Sequence, residues 1–297
     1  MKLTGLIAAP LTPFDAQANL APERIPAYAA YLRDHGVAGV FVNGSTGESL
    51  SLSVPERKAA AEAWQAAKGT LKHVVHVGAN SVVEARELAA HAQAIGADAI
   101  GAMPPCFFKA SLAGVIDYCE AVAAAAPALP FYYYHIPGMT RVELSVRELL
   151  EQGERRIPTL AGAKFTFENL MDFQQAIDYK NGRFDLLFGR DEMLLNGLAA
   201  GAVGAVGSTY NFMAGVYLKI IAAFQANDLA TARLWQARSQ QLVNVLQESG
   251  SGIACCKAIM GLAGIDCGPC RIPLPRFGTA KMAWLKCRID QIGLFRW

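Results

Sequence analysis

The chain has 297 residues, of which 53% are hydrophobic and 18% are charged, and its formal net charge is only +2. This length suits one α/β barrel with additions, and a chain of this size buries enough apolar surface to be stable without disulfides or a structural metal. The small net charge, without any run of Lys or Arg, argues against binding to nucleic acids or to anionic membrane surfaces.

The N-terminal segment and the cysteines bear on the cellular compartment. Pro10 and Pro13 interrupt the first apolar stretch, which is too short for the core of a signal peptide. No apolar stretch of about 18 residues runs without Gly, Pro or charge, so no membrane span is expected. Seven cysteines, an odd number, in a chain without an export signal are typical of reduced thiols in a cytoplasmic protein.

Short apolar runs alternate along the chain with segments rich in Ala, Leu, Glu and Arg. The runs are nearly all apolar instead of alternating with polar residues, as expected of parallel strands that are covered on both faces. The predicted strands are Gly5–Ala9, Gly39–Val42, His73–Val77, Ala99–Ala102, Pro130–Tyr134, Thr159–Lys164, Phe184–Phe188 and Ala202–Val206.

Helix signals lie between these strands and after the last one. Three Ser and Glu pairs have the spacing of a capping box at a helix N-terminus. These pairs are Ser53 with Glu56, Ser81 with Glu84, and Ser145 with Glu148. Beyond the eighth strand, helices are predicted at Tyr210–Gln225, Asp228–Glu248 and Ile253–Leu262.

Eight strands that each lead into a helix favour a (β/α)8 TIM barrel over an open doubly wound sheet. We expect residues 1–209 to form the barrel core. Residues 210–297 are expected to supply the last barrel helix and a C-terminal helical extension that packs on the barrel as part of a single structural unit.

Catalytic groups of such a barrel follow the C-terminal ends of its strands. Polar residues stand at these positions after the second, fifth, sixth, seventh and eighth strands. They lie within Asn43–Glu48, Tyr133–Pro137, Gly162–Thr166, Gly189–Glu192 and Gly207–Asn211.

Lys164 is the most informative of these residues. Desolvation at the end of an apolar strand favours the neutral amine of a lysine, which is the form that attacks a carbonyl carbon. The alternative is a lysine at the barrel rim that pairs with a carboxylate. Lys109 and Lys257 compete for the catalytic role, but Lys109 follows a Pro-rich loop and Lys257 falls in the helical extension.

Two further strand ends carry hydroxyl groups. Ser45 and Thr46 stand between Gly44 and Gly47, so the backbone can approach a ligand closely, and hydroxyls with turn amides suit a carboxylate. An ordinary turn with a Ser or Thr cap would have the same pattern. Tyr134 has the chemistry of a proton relay, although many barrel tyrosines simply bury the ring and bond one backbone group.

Taken together, these motifs resemble the N-acetylneuraminate lyase and dihydrodipicolinate synthase family of class I pyruvate aldolases. The resemblance runs from Leu3 to about Pro275 and rests on several motifs in order. They are GSTGE at Gly44–Glu48, YHIP at Tyr134–Pro137, Lys164 at the end of the sixth strand, and GSTYN at Gly207–Asn211.

The resemblance implies an imine between Lys164 and the carbonyl carbon of pyruvate or a pyruvate-derived unit, with no cofactor. It also implies that Ser45 and Thr46 bind the carboxylate and that Tyr134 moves protons at the reacting carbon–carbon bond. A protonated imine is an electron sink, so the carbanion left by bond cleavage is stored as an enamine.

Within the family, the YYYHIP, KFT and Asp-Glu motifs are similar to those of the sialic acid lyases. That branch implies a pocket for the polyhydroxyl tail of a sugar acid, lined by Thr166, Gly189, Asp191, Glu192 and Ser208. Carboxylates are suitable acceptors for several hydroxyl donors. An Asp-Glu pair that opens a helix would instead complement the helix dipole.

Two departures from the family pattern bear on the substrate. Dihydrodipicolinate synthases carry an arginine at the position of Met139 to bind a second carboxylate, and here the nearest arginine is Arg141. Phe107 and Phe108 stand where many relatives have a tyrosine that completes a proton relay across a subunit interface. Neither phenylalanine has a hydroxyl, which leaves Tyr134 with Ser45 and Thr46 as the relay.

Other motifs are weaker signals. Cys267 and Cys270 form a CxxC motif, but the prolines that follow forbid the helix that a thioredoxin-type site requires. His73 and His76 are three apart on a strand and point to opposite faces, so they cannot share a metal. No metal-binding or nucleotide-binding motif was identified.

The sequence therefore predicts a lyase that cleaves N-acetylneuraminate to N-acetylmannosamine and pyruvate through a lysine imine. The alternatives are an aldolase or hydro-lyase for another 2-oxo-3-deoxy sugar acid, a condensing enzyme like dihydrodipicolinate synthase, and a catalytically silent barrel. The expected partner is a small-molecule 2-oxo acid or sugar acid, without nucleic acid or membrane, and the resemblance implies a homotetramer.

Overall fold

The computed structural model describes residues 2–297, and over this range eight parallel strands close into a barrel in the order β1 to β8. The predicted (β/α)8 fold is thereby confirmed. The strands are β1 Gly5–Ala8, β2 Gly39–Val42, β3 Lys72–His76, β4 Ala99–Ala102, β5 Phe131–His135, β6 Leu160–Phe165, β7 Asp185–Phe188 and β8 Gly204–Gly207.

Helices surround the barrel and continue beyond the last strand. The α-helices are α1 Ile25–Asp34, α2 Val54–Ala67, α3 Val82–Ala94, α4 Leu112–Ala123, α5 Pro137–Thr140, α6 Val146–Gly153, α7 Leu170–Asp178, α8 Leu194–Ala199, α9 Tyr210–Gln225, α10 Leu229–Glu248, α11 Gly252–Leu262 and α12 Thr279–Ile292. Short 3₁₀ turns lie at Pro22–Arg24, Ser49–Ser51, Asp191–Met193 and Leu294–Arg296. No helix in residues 2–297 is long and apolar enough to span a membrane.

The predicted capping residues begin helices as expected. Ser53 and Glu56 form a complete capping box at α2. The side chains of Ser81 and Ser145 accept bonds from the backbone of Glu84 and Glu148, respectively. Each bond satisfies one backbone donor that the first turn of a helix leaves free.

Several predicted strand ends were wrong by one or two residues. The eighth strand begins at Gly204 instead of Ala202, because the Ala202 N–H still bonds to the Gly197 carbonyl at the end of α8. Strand β8 also extends to Gly207, which pairs with Ala8 of β1. The apolar character of a segment indicates only that the segment is buried, whereas the ends of a strand depend on which backbone groups pair.

The buried residues form two layers. An inner cluster fills the barrel and includes Phe41, Tyr132, Tyr134 and Leu187. A larger outer cluster packs the strands against the surrounding helices. Because side chains alternate along a strand, Tyr134 points into the barrel while Tyr133 and His135 face the helix layer.

Candidate active site

A cleft of about 460 Å³ opens at the C-terminal ends of the strands. Loops after β2, β5, β6, β7 and β8 contribute to its wall. All nine residues that the sequence singled out line this one cleft: Ser45, Thr46, Tyr134, Lys164, Thr166, Gly189, Asp191, Glu192 and Ser208.

Lys164 lies near the base of the cleft and is only 4% exposed. It pairs in register with Tyr134 on the neighbouring strand, so both side chains point into the barrel. The Lys164 Nζ lies 4.1 Å from the centre of the Tyr134 ring and 4.3 Å from that of Phe41. No carboxylate of residues 2–297 lies within 4.0 Å of it, so it is not the ion-paired rim lysine of the alternative interpretation.

Tyr134 has a hydroxyl neighbour as well as apolar packing. Its phenolic oxygen lies 3.5 Å from Ser45 Oγ. The ring packs edge-to-face against Phe41 and His76. The structure thus brings the hydroxyl groups of Ser45 and Tyr134 close together at the end of β5.

His76 supports this arrangement as a neutral ring. Its Nδ1 lies 2.8 Å from the Asn43 carbonyl and must donate there, while Nε2 accepts from the Met103 N–H at 3.3 Å. Burial, reinforced by Arg57 and Lys164, holds the pKa of His76 well below its ordinary value. His76 thus packs beneath the site without charge.

The loop that carries Ser45 and Thr46 is fixed by a hydrogen bond and an ion pair to other parts of the chain. Thr12 Oγ1 donates to the Gly47 carbonyl at 2.6 Å. Glu48, at the end of the loop, adopts a left-handed φ of 56° that a non-glycine residue rarely takes. Its buried carboxylate pairs with Lys257 of α11, which assigns Lys257 to a structural ion pair instead of the catalytic role.

Asp191 forms the far side of the cleft and is 5% exposed. Its Oδ2 accepts bonds from the Thr209 N–H at 2.8 Å and from Thr209 Oγ1 at 2.7 Å. Burial is the largest effect on the pKa of Asp191 and raises it to about 6. The two bonds from Thr209 and the nearby Lys164 oppose this rise, whereas nearby Glu192 adds to it. The carboxylate occupies the space in which a Gly207 side chain would stand, so any Cβ there would collide with it.

The remaining predicted residues lie around Asp191. A Cβ at Gly189 would collide with Thr166 Oγ1, so the glycine lets this hydroxyl sit against the β7 strand end. Thr166 Oγ1 is buried and has no hydrogen-bond partner within residues 2–297. Glu192 is partly exposed and lies 3.5 Å from Arg190, which also pairs with Glu168.

Several cleft residues were not predicted from the sequence. Glu143 lines the cleft, and Val243 and Leu246 reach it from α10 in the C-terminal extension. Met139, which stands where the related synthases have arginine, also lines the cleft and is 59% exposed. Arg141 is exposed and does not line it, so it does not replace that arginine.

Residues that the sequence set aside also lie apart from the cleft. Phe107 and Phe108 are 88% and 75% exposed and do not line it. Cys267 and Cys270 are buried free thiols in a segment without helix. Among residues 2–297, no group of three His, Cys, Asp or Glu side chains is arranged to hold a metal ion.

Comparison with known proteins gives consistent matches over nearly the whole chain. The sequence model of the dihydrodipicolinate synthetase family matches residues 2–291. The N-acetylneuraminate lyase of Mus musculus is 47% identical over 281 residues, which cover 93% of this chain and 88% of the mouse protein.

Solved structures agree with the sequence matches. The N-acetylneuraminate lyase of Aliivibrio salmonicida superposes with a TM-score of 0.96 at 42% identity, covering 99% of this chain and 98% of the other. That of Proteus mirabilis gives the same TM-score at 38% identity, covering 99% and 100% of the two chains.

Proposed function

The chain belongs to the dihydrodipicolinate synthetase family, and we propose that it cleaves N-acetylneuraminate to N-acetylmannosamine and pyruvate through an imine on Lys164. The observation that carries the proposal is the position of Lys164. Its amine is buried among aromatic rings and lies on the same cleft as the hydroxyls of Ser45, Thr46 and Tyr134.

Imine formation begins the reaction. The Lys164 amine attacks the C2 carbonyl of the open-chain sugar acid, and loss of water gives a protonated imine. Ser45 and Thr46 bind the neighbouring carboxylate, which holds C2 in one orientation toward the lysine.

Cleavage follows once the imine is in place. The C3–C4 bond breaks, its electron pair moves into the imine to form an enamine, and the C4 hydroxyl loses its proton as the aldehyde forms. Tyr134 takes that proton while it passes its own toward Ser45, 3.5 Å away. Protonation of the enamine at C3 and hydrolysis of the imine then release pyruvate and restore the Lys164 amine.

The other end of the cleft suits the polyhydroxyl tail of the substrate. Asp191 and Glu192 supply carboxylate acceptors, and the hydroxyls of Thr166 and Ser208 can both donate and accept. Because Gly189 has no side chain, its backbone can lie close to the hydroxyl of Thr166. The exposed Met139 supplies no cation for a second carboxylate, which disfavours a substrate like that of the dihydrodipicolinate synthases.

The experiment that tests the function combines turnover with chemical trapping. Purified protein should release pyruvate from N-acetylneuraminate, and borohydride with pyruvate should leave a stable adduct on Lys164 in peptide mapping. A Lys164→Met variant should lose both signals. An adduct on another lysine would overturn the mechanism, and faster turnover of 2-oxo-3-deoxygluconate would assign a different sugar acid.

The assembly and compartment are further parts of the proposal. We propose a homotetramer in the cytoplasm. Exposed apolar side chains at Leu50, Phe107, Phe108 and Met139 supply surface that a second copy would cover. Sedimentation of the purified protein tests the tetramer, and a monomer at micromolar concentration would contradict it.

A further inference from the structure

We propose that Gln236 and Gln240 of α10, together with Tyr217 of α9, position the acidic side of the cleft and so govern recognition of the sugar tail. The inference rests on the proposed function, because it concerns residues that hold Asp191 and Glu192 in position to bind the sugar tail. None of the positioning residues lines the part of the cleft that forms the imine. Their effect is therefore separable from the chemistry at Lys164.

Gln236 on α10 holds the backbone of Asp191. Its side-chain Nε2 donates to the Asp191 carbonyl at 3.2 Å and to Ser239 Oγ at 2.6 Å. Its Oε1 accepts the Leu195 N–H at 2.8 Å, and the residue is 5% exposed. With donor and acceptor groups of the amide all engaged, Gln236 has one orientation, and that orientation fixes where the turn after β7 begins.

Gln240 repeats the contact one helical turn later. Its Nε2 donates to the Glu192 carbonyl at 3.0 Å. Residues four apart lie on one face of a helix, so two glutamines of α10 bond the carbonyls of two consecutive residues. Because both carbonyls are held on the helix side, the side chains of Asp191 and Glu192 are left to line the cleft.

The carboxylate of Asp191 is fixed by a second chain of bonds. Thr209 has one hydroxyl proton, which it donates to Asp191 Oδ2, so at 2.7 Å from Tyr217 it must accept the phenolic proton. Tyr217 is fully buried in α9. Asp191 Oδ1 has no hydrogen-bond donor within residues 2–297, which leaves this oxygen to accept a substrate hydroxyl.

The sugar tail is therefore recognised by groups whose positions depend on residues after 209, while the imine depends on β2, β5 and β6. Val243 and Leu246 of the same helix complete the wall on this side. Displacement of the carboxylate weakens its hydrogen bonds to a hydroxylated substrate. Lys164 can still react with pyruvate.

The test compares substitutions that keep size but remove these bonds. Gln236→Met should raise the KM for N-acetylneuraminate about tenfold, as expected for a misplaced hydrogen bond to a charged group. Tyr217→Phe, which keeps the buried ring, should raise it about threefold to tenfold. Borohydride trapping of pyruvate on Lys164 should stay within about twofold of the unsubstituted protein in both variants.

The matched control is Gln241→Met, at an exposed neighbouring position on the same helix. It should leave both KM and trapping unchanged. Unchanged KM in Gln236→Met and Tyr217→Phe would overturn the inference, as would parallel losses of cleavage and of pyruvate trapping, which indicate a general structural role. Failure of the unsubstituted protein to cleave N-acetylneuraminate would instead overturn the proposed function, and the inference with it.

Discussion

Lys257 Nζ lies 2.7 Å from Glu48 Oε1, and both side chains are buried. The second oxygen of Glu48 accepts the Arg271 N–H at 2.9 Å, while Lys257 also donates to the Pro269 carbonyl at 2.9 Å. The pair thus joins the loop that carries Ser45 to α11 and to the segment after it. Removal of one partner would leave a buried charge without compensation.

Lys257→Met is therefore expected to lower the free energy of unfolding by about 3–5 kcal/mol, measured by urea denaturation at fixed protein concentration. Lys58→Met removes an ion pair with Glu87 that is partly exposed, and should cost less than about 1 kcal/mol. Adding Glu48→Gln to Lys257→Met should recover part of the loss. Equal losses in Lys257→Met and Lys58→Met would show that the buried pair has no special role.

Tyr134→Phe removes the phenolic hydroxyl and keeps the ring. Turnover of N-acetylneuraminate should fall by about 100-fold or more, because the C4 hydroxyl loses its proton acceptor. Trapping of pyruvate on Lys164 should remain detectable. Tyr133→Phe is the matched control, since the Tyr133 hydroxyl is buried in the helix layer without a hydrogen-bond partner in residues 2–297. Unchanged turnover in Tyr134→Phe would remove it from the relay.

The fold was predictable because burial in a parallel barrel leaves a direct mark on the sequence. Strands covered on both faces are apolar runs, and Gly39–Val42 and Ala99–Ala102 have the predicted bounds. The ends of other strands were not predictable from apolar character, since the Ala202 N–H bonds to the Gly197 carbonyl of α8 instead of to a neighbouring strand. The division of the chain at residue 209 stays a prediction.

The cleft was predictable where its residues follow strands and not elsewhere. Lys164 and Tyr134 stand at strand ends, where barrel geometry brings side chains together. Val243 and Leu246 are apolar residues of a long helix, and their spacing is the same whether a helix face packs on the barrel or lines a cleft. Gln236 resembles any polar residue of an exposed helix until its contact with the Asp191 carbonyl is known.

Gly207→Ala is expected to displace the Asp191 carboxylate, because the new Cβ would collide with it. Cleavage of N-acetylneuraminate should fall by about tenfold or more, and stability by about 1–3 kcal/mol as in other overpacked sites. Pyruvate trapping should persist. Gly215→Ala in α9, where a Cβ meets nothing within 4 Å, is the control and should retain full activity. Normal cleavage by Gly207→Ala would show that the carboxylate position is unimportant.

Asp191 should give both stability and activity a dependence on pH. Burial raises its pKa from 3.8 to about 6. The folded protein therefore binds this proton more tightly than the unfolded chain, and the contribution of Asp191 to the free energy of unfolding falls as pH rises from about 4 to about 6. Above that range the loss is complete, at about 3 kcal/mol for the difference between the two pKa values.

Asp191→Asn keeps the size of the side chain and removes this titration. Between about pH 4 and pH 7, the stability of the unsubstituted protein relative to Asp191→Asn should decline and then level off. Over the same range, kcat/KM for N-acetylneuraminate should rise through about pH 6 in the unsubstituted protein. The reason is that the ionised carboxylate can accept bonds from two hydroxyl donors, whereas the neutral acid is a poorer acceptor. Asp191→Asn should lack that rise while Lys164 still traps pyruvate. The same rise in kcat/KM in Asp191→Asn would assign the titration to another group, with neighbouring Glu192 the first to test.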